Sequence, residues 1–214
     1  MKIINADVEF FEPVNGKAIL KHIEKCGRIC YKSEDKIEEE SAEKFISGII
    51  KRGHEAVLEH KSFTVKFTCD RGVSHEIVRH RMASYCQEST RYCNYSQDKF
   101  GKEITVIRPC YWNDCSPEID HWEESCLTAE RAYFYLLDNP EVSPQQARAV
   151  LPNSLKTEVV MTANLREWRH FFKLRCSPAA HPQMREVAIK LLLLCKKEIP
   201  VIFDDICPEL TESF

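Results

Sequence analysis

Residues 61–69, KSFTVKFTC, alternate without a break. Phe63, Val65, Phe67 and Cys69 point one way, and Ser62, Thr64, Lys66 and Thr68 the other. A helix would scatter these apolar side chains around its circumference, whereas a strand gathers them on one face. The segment therefore predicts a half-buried strand with one face on a core. EITVIRP (residues 103–109) and LKTEVVMTAN (155–164) read as further strands, the first stopped by Pro109 and the second by Asn164. DHWEESCLTAERAYFYLLDN (120–139), NLREWRHFFKLRC (164–176) and HPQMREVAIKLLLLCKKEI (181–199) read as helices. Pro182 opens the last of these, where its missing N–H costs nothing. Strands and helices mix without a regular βαβ alternation, so the expected class is α+β (mixed α/β), with a central antiparallel or mixed sheet flanked by helices.

The chain has 214 residues and six glycines, with neither an internal repeat nor a low-complexity linker, and it is expected to form a single domain over 1–214. The acidic stretch KSEDKIEEESAEKF (32–45) reads as a loop entering a helix. Ile37, Phe45, Ile46, Ile49 and Ile50 supply that helix's inward stripe. The longest apolar run, Leu191–Leu194, is far short of the ~20 residues that span a bilayer, so no membrane anchor is expected. The start, MKIINADVEFFEP, has no apolar leader segment. The eleven cysteines contain no CxxC pair, which points to free thiols in a reducing cytoplasm. With a net charge of −3 and a pI near 6.3, no global basic field argues for nucleic acid. Anion binding must come from a local cluster.

Such a cluster lies in RHRMASYCQESTRY (79–92). Arg79, His80 and Arg81 are consecutive. Ser84, Gln87, Ser89 and Thr90 follow, then Arg91, with Glu88 the one acid. Taken as a helix from Val73 to Tyr85 at ~100° per residue, Val73, Ile77, Val78, Met82 and Tyr85 share one side. His75, Glu76, Arg79 and His80 lie opposite, and Arg81 falls inside the apolar arc. A guanidinium there needs a carboxylate, a backbone cage or an anionic ligand. Gln87 to Arg91 would leave the helix as a loop. Arginines offer planar paired donors suited to phosphate, and hydroxyls add short hydrogen bonds. An ion-pair network with acids elsewhere in the fold accounts for the cluster equally well.

Other chemistries find less support. HEAVLEH (54–60) and HEIVRH (75–80) space their histidines six and five apart, not the four that places two zinc ligands on one helical face, so no metal is expected. Cys86 lies near the cations and could be an activated thiol. Neither GxGxxG nor GxxxxGK[ST] occurs, so any nucleotide is held some other way.

The residues RHRxxSxxxxSxR, complete as Arg79, His80, Arg81, Ser84, Ser89 and Arg91, resemble the signature of flavin-dependent thymidylate synthases. GHEAVLEH (53–60) ahead of it, and ARAVLPNSLKTEVVMTANLREWRHFFKLR (147–175) and HPQMRE (181–186) after it, resemble the family in the same order. The resemblance implies a flavoprotein methyltransferase of dTMP biosynthesis with a fold peculiar to the family. It would convert dUMP to dTMP using 5,10-methylenetetrahydrofolate as carbon donor and hydride carried on FAD, with NADPH as reductant. A homotetramer with active sites shared between subunits is implied as well.

By the same resemblance, Arg79, His80 and Arg81 would contact FAD, with Arg79 also near the nucleotide. His54, Ala56, Asn164, Arg166 and His170 would hold the flavin, Ala56 standing where relatives often carry Ser or Thr. Gln87, Glu88, Ser89, Thr90 and Arg91 would wrap dUMP, Gln87 also touching the cofactor, with Glu76 close by and Arg148 joining from another subunit. Arg175 would be the catalytic residue, facing the uracil ring. A non-catalytic nucleotide- or RNA-binding module is the competing reading, and the acidic pI counts against it.

Overall fold

The computed structural model describes residues 1–208. Its centre is a four-stranded antiparallel sheet in the order β2–β3–β6–β4, formed by β2 (Asp7–Phe10), β3 (Ser62–Asp70), β6 (Lys156–Asn164) and β4 (Ala83–Gln87). A separate parallel pair joins β1 (Lys2–Ile4) to β5 (Thr105–Ile107). The helices are α1 (Gly16–Tyr31), α2 (Ser41–Lys51), α3 (Arg71–Ile77), α4 (Pro117–Leu137), α5 (Pro144–Ala147), α6 (Leu165–Arg175), α7 (Pro182–Glu198) and α8 (Pro200–Phe203). The α+β expectation holds, with the central sheet wholly antiparallel. Among the described residues no helix is long and apolar enough to cross a membrane.

The alternation of β3 is realised as read: Phe63, Val65, Phe67 and Cys69 are buried while the intervening residues stay partly or fully exposed. Paired with β6 from Ser62↔Asn164 to Asp70↔Lys156, β3 presents one apolar face. Val159, Met161 and Ala163 extend that face, and Trp168, Phe171 and Phe172 of α6 and Met184, Val187 and Leu191 of α7 cover it. Phe63 and Trp168 stack with centroids 5.0 Å apart. Helix α7 reaches the mouth of α1 so closely that a Cβ at Gly16 would lie 1.8 Å from the Glu198 carbonyl oxygen, so only glycine fits. A second cluster around Tyr95, Ile104, Val106, Cys126 and Tyr133 lies between α4 and the parallel pair. In the AYFYLL run of α4, Tyr133 is buried whereas Tyr135 faces solvent.

Several elements depart from the sequence reading. The helix expected over Val73–Tyr85 ends at Ile77, and Ala83–Gln87 is a strand. Helix α3 opens on the Asp70 cap and stops where the backbone turns at Val78 and Arg79, which brings β4 alongside β6. Arg81 consequently sits in a turn, exposed, not within an apolar arc. Ile37 precedes α2 and is exposed, so the inward stripe of α2 is Ile46 and Ile49, with Phe45 and Ile50 half-buried. Strands β1 and β2 and helix α1 were not anticipated at all. The first two are only three and four residues long and carry too little pattern to stand out.

Candidate functional site

The signature residues are distributed along a turn, β4 and a second turn, and β4 thereby separates two polar poles.

The first pole lies where β6 ends and α6 begins. Asn164 caps α6, its Oδ1 accepting the Glu167 N–H at 2.8 Å. The helix then projects Glu167, His170 and Arg175 toward α3 and the turn after it, and Arg166 toward Glu59 of the 3₁₀ turn Glu55–His60. Asp70 holds α3 in place: its carboxylate accepts the Val73 N–H and the Gln183 amide of α7, each at 2.7 Å, and burial pushes its pKa up. Arg175 donates from Nη1 to Glu76 Oε2 at 2.7 Å, from Nη2 to the Glu76 carbonyl at 2.9 Å, and from Nε to His80 Nε2 at 3.1 Å. His80 is buried, with Nδ1 3.0 Å from Glu167 Oε1 and its ring against Phe171. Burial lowers the His80 pKa; the Glu167 hydrogen bond opposes that shift and the Arg175 charge adds to it. Tyr85 donates its hydroxyl to the carbonyls of Ile77 and His80, and burial pushes its pKa up to about 12.

Beside this chain of contacts lies a cleft of about 380 Å³ lined by Glu59, Met82, Asn164, Arg166, Glu167 and His170 among others. One wall is the 3₁₀ turn Glu55–His60. His54 caps it and shares a 2.8 Å hydrogen bond between its Nδ1 and the Tyr31 hydroxyl, and Ala56 is exposed on it. Gly53 enters the turn at φ 71°, a left-handed conformation that suits glycine.

The second pole lies beyond Gln87. Gln87 donates its amide to Ser74 Oγ at 3.0 Å and Thr157 Oγ1 at 3.3 Å. Glu88 accepts from Tyr95 at 3.0 Å and Lys156 at 3.0 Å, so both its oxygens are engaged within the chain. The chain then turns tightly at Ser89, whose carbonyl accepts the N–H groups of Tyr92 and Cys93. Thr90 is buried and accepts from Arg148 Nη1 at 3.3 Å. Arg148 thus reaches this turn from its own chain and needs no second subunit to do so. Arg91 is exposed, its guanidinium 5.5 Å from the Tyr92 ring centre.

Each pole holds both balanced and unbalanced charges. Arg175 is paired with Glu76, and Arg166 with Glu59 at 2.5 Å. Among the described residues, Arg79, Arg81, Arg91 and Arg148 have no carboxylate partner. An ion-pair network therefore explains part of the cation cluster and leaves four guanidinium groups open to an anionic ligand. Cys86 is exposed on the face of β4 opposite Tyr85, whose hydroxyl meets the His80 carbonyl. His80, Glu167 and His170 bring one ligand atom each within 4.8 Å of one another. Both His80 nitrogens are already hydrogen-bonded, to Arg175 and Glu167, and a cation there would face the Arg175 charge.

Sequence reasoning missed Glu167, Tyr31, Met82 and Lys156. Glu167 stands three residues after Asn164, the spacing of a capping box, which marks it as a first-turn acid but not as the partner of His80. Arg169, which no sequence motif singles out, is buried. It donates to Glu55 at 3.0 and 3.1 Å, to Asp205 at 2.6 and 2.7 Å, and to the Ile202 carbonyl.

A flavin dinucleotide fits the first pole in its chemistry. Met82, 72% exposed, offers apolar surface to a flat ring beside the donors Asn164, Arg166 and His170. Of the cleft's acids, Glu59 is paired with Arg166 and Glu55 with Arg169 and Lys173, while Glu167 accepts a hydrogen bond from His80. Arg79 and Arg81 are left free for a diphosphate.

The sequence model of the family "Thymidylate synthase complementing protein" matches residues 17–201. A flavin-dependent thymidylate synthase of Geobacter sulfurreducens is 36% identical over 188 residues, covering 85% of this chain and 79% of that one. One from Pyrococcus horikoshii is 32% identical over 207 residues, covering 95% and 83%. The crystal structure of a UMP/dUMP methylase, PolB, from Streptomyces cacaoi bound with 5-Br dUMP superposes with a TM-score of 0.74 at 23% identity, over 95% of this chain and 96% of that one, and so shares the fold.

Proposed function

Because the chain belongs to the family of flavin-dependent thymidylate synthases, we propose that it makes dTMP by reductive methylation of dUMP. The observation that carries this reading is the complete motif whose Arg79, Arg81 and Arg91, together with Arg148, have no carboxylate partner among the described residues. The methylene of 5,10-methylenetetrahydrofolate and a hydride become the new methyl group. FAD, when bound, carries that hydride, and NADPH replenishes it.

The chain's own residues bind and orient. His54, Ala56, Asn164, Arg166 and His170 line or flank the cleft that receives the flavin ring. Arg79, Arg81 and the backbone around His80 lie beside it for the diphosphate. Ser89, Thr90, Arg91 and Arg148 form the seat for the phosphate of dUMP. Arginine pairs and hydroxyls suit a dianion that carries no sequence of bases to be read. For carbon 5 of the uracil to act as a nucleophile, the ring must be electron-rich, with negative charge shared over N3 and the carbonyl oxygens. Arg175, already aimed by Glu76 and His80, stabilises that charge without having to reorganise. No attacking thiol is needed, which agrees with Cys86 lying on the other face of β4.

One chain holds the uracil-facing arginine at one end of β4 and the phosphate seat at the other. With the family's sites shared between subunits, we read the working site as composite: Arg175 and Glu76 of one copy meet Ser89, Arg91 and Arg148 of another. The homotetramer expected from the family supplies that arrangement. Residues 1–214 act as one domain, in a reducing cytoplasm that suits eleven free thiols.

The test is a thymidylate-forming assay with and without added FAD. Yellow protein that converts dUMP only in the presence of flavin and methylenetetrahydrofolate supports the reading. Colourless protein that takes up no FAD overturns it.

A further inference from the structure

We infer that Glu167 is a positioning residue for Arg175, acting through His80 by selecting which imidazole nitrogen carries the proton. This rests on the uracil-facing role proposed for Arg175.

The geometry leaves one self-consistent assignment. A guanidinium Nε–H can only donate, and it points at His80 Nε2 from 3.1 Å, so Nε2 must present a lone pair. A neutral imidazole then carries its proton on Nδ1, and Nδ1 faces the Glu167 carboxylate at 3.0 Å, which can only accept. Glu167 thus holds the proton on the far side of the ring, and the near nitrogen stays free to accept from Arg175. Glu76 restrains the other end of the guanidinium through its carboxylate and its carbonyl. Four side chains from α3, α6 and the turn between α3 and β4 form one directed chain: Glu76, Arg175, His80, Glu167. With His80 buried, no bulk water competes for its nitrogens.

The other tautomer, or the doubly protonated ring, would set an N–H against the Arg175 N–H and break the contact. The groups facing His80 are Glu167, His170 and Arg175 of α6, Glu76 of α3 through Arg175, and the Tyr85 hydroxyl of β4 on its carbonyl. Burial and Arg175 keep the ring neutral, and Glu167 favours its charged form. The ring therefore becomes charged only as pH falls below its lowered pKa, and Arg175 is released on that acid side.

Two measurements decide the matter. In ¹⁵N-detected spectra of the purified protein at neutral pH, with the His80 signals identified by their loss in His80→Gln, Nδ1 should appear protonated and Nε2 unprotonated. An Nε2–H or doubly protonated ring would overturn the inference whatever the enzyme catalyses. In the thymidylate assay, Glu167→Ala should lower turnover at least tenfold across the pH range, whereas Glu167→Gln, whose carbonyl can still accept from Nδ1–H, should recover most of it. Its acid limb should move to lower pH, because the carboxylate that favours protonation is gone. Equal turnover in Glu167→Ala and the parent, or an acid limb unmoved in Glu167→Gln, would also sink the idea. Should no variant or parent form thymidylate, the functional reading fails and the spectra still judge the tautomer.

Discussion

Arg169 and Arg175 stand six residues apart on α6, about 120° apart around the helix, and the fold uses them for opposite ends. The Arg169 side chain is 1% exposed and meets two carboxylates, Glu55 and Asp205, plus a backbone carbonyl. Its charge is fully matched, and it holds Asp205 below the usual carboxylate range. The Arg175 side chain is 19% exposed and meets one carboxylate, Glu76, with a neutral imidazole on its remaining flank. A guanidinium with both acids supplied is a structural tie. One aimed by a single acid and a lone pair keeps electrostatic capacity for a ligand that develops negative charge.

The comparison can be broken most directly at Arg169. Arg169→Ala should cost about 3–5 kcal/mol of stability, since Glu55 and Asp205 lose their cation. At about 2–4 °C per kcal/mol for a chain of this size, the melting temperature should fall by at least about 6 °C in a calorimetric scan. A change within a degree or two would show that the buried pairs are not a tie. Arg175→Ala should do the reverse. Turnover should fall about 10²- to 10³-fold while flavin absorbance persists and melting moves little. Near-normal turnover would remove Arg175 from the mechanism.

A smaller effect is expected at the second pole. Ser89→Ala should raise the KM for dUMP about fivefold, near 1 kcal/mol for one hydrogen bond, with turnover still measurable. Complete loss of turnover with normal binding would instead make Ser89 a nucleophile. Smallest of all is Arg166→Ala. Arg166 and Glu59 are both about half exposed, so losing their pair should alter stability by less than about 1 kcal/mol. Flavin release, followed by fluorescence, should nonetheless become faster. A stability loss as large as that of Arg169→Ala would mean that exposure does not sort the arginines of α6.

How far these roles were legible beforehand varies from residue to residue. The alternation around Phe63–Cys69, the stop at Asn164 and the proline opening α7 rest on local chemistry, and each is realised in the structure. The stretch from Val73 to Tyr85 misled because Val73, Ile77 and Val78 fit a helical period for one turn too many. The pairing of Tyr85 with Met161 is a contact between residues 76 positions apart, which no local pattern encodes. Arg169 shows the same limit: nothing around Trp168 in the sequence marks its partners Glu55 and Asp205, which arrive from distant segments.

The amino-acid order alone determined the strand and helix periods, the absence of glycine-loop nucleotide motifs and the presence of the Arg-His-Arg…Ser-x-Arg set, because each depends on neighbours within a few positions. Which arginines are neutralised and which stay open, which nitrogen of His80 bears the proton, and the placing of Arg175 and Ser89 at opposite ends of β4 were decided only by the tertiary structure. Charge balance is a property of distances through space. Those distances are set by the packing of α3 and α6 against the sheet, not by spacing along the chain.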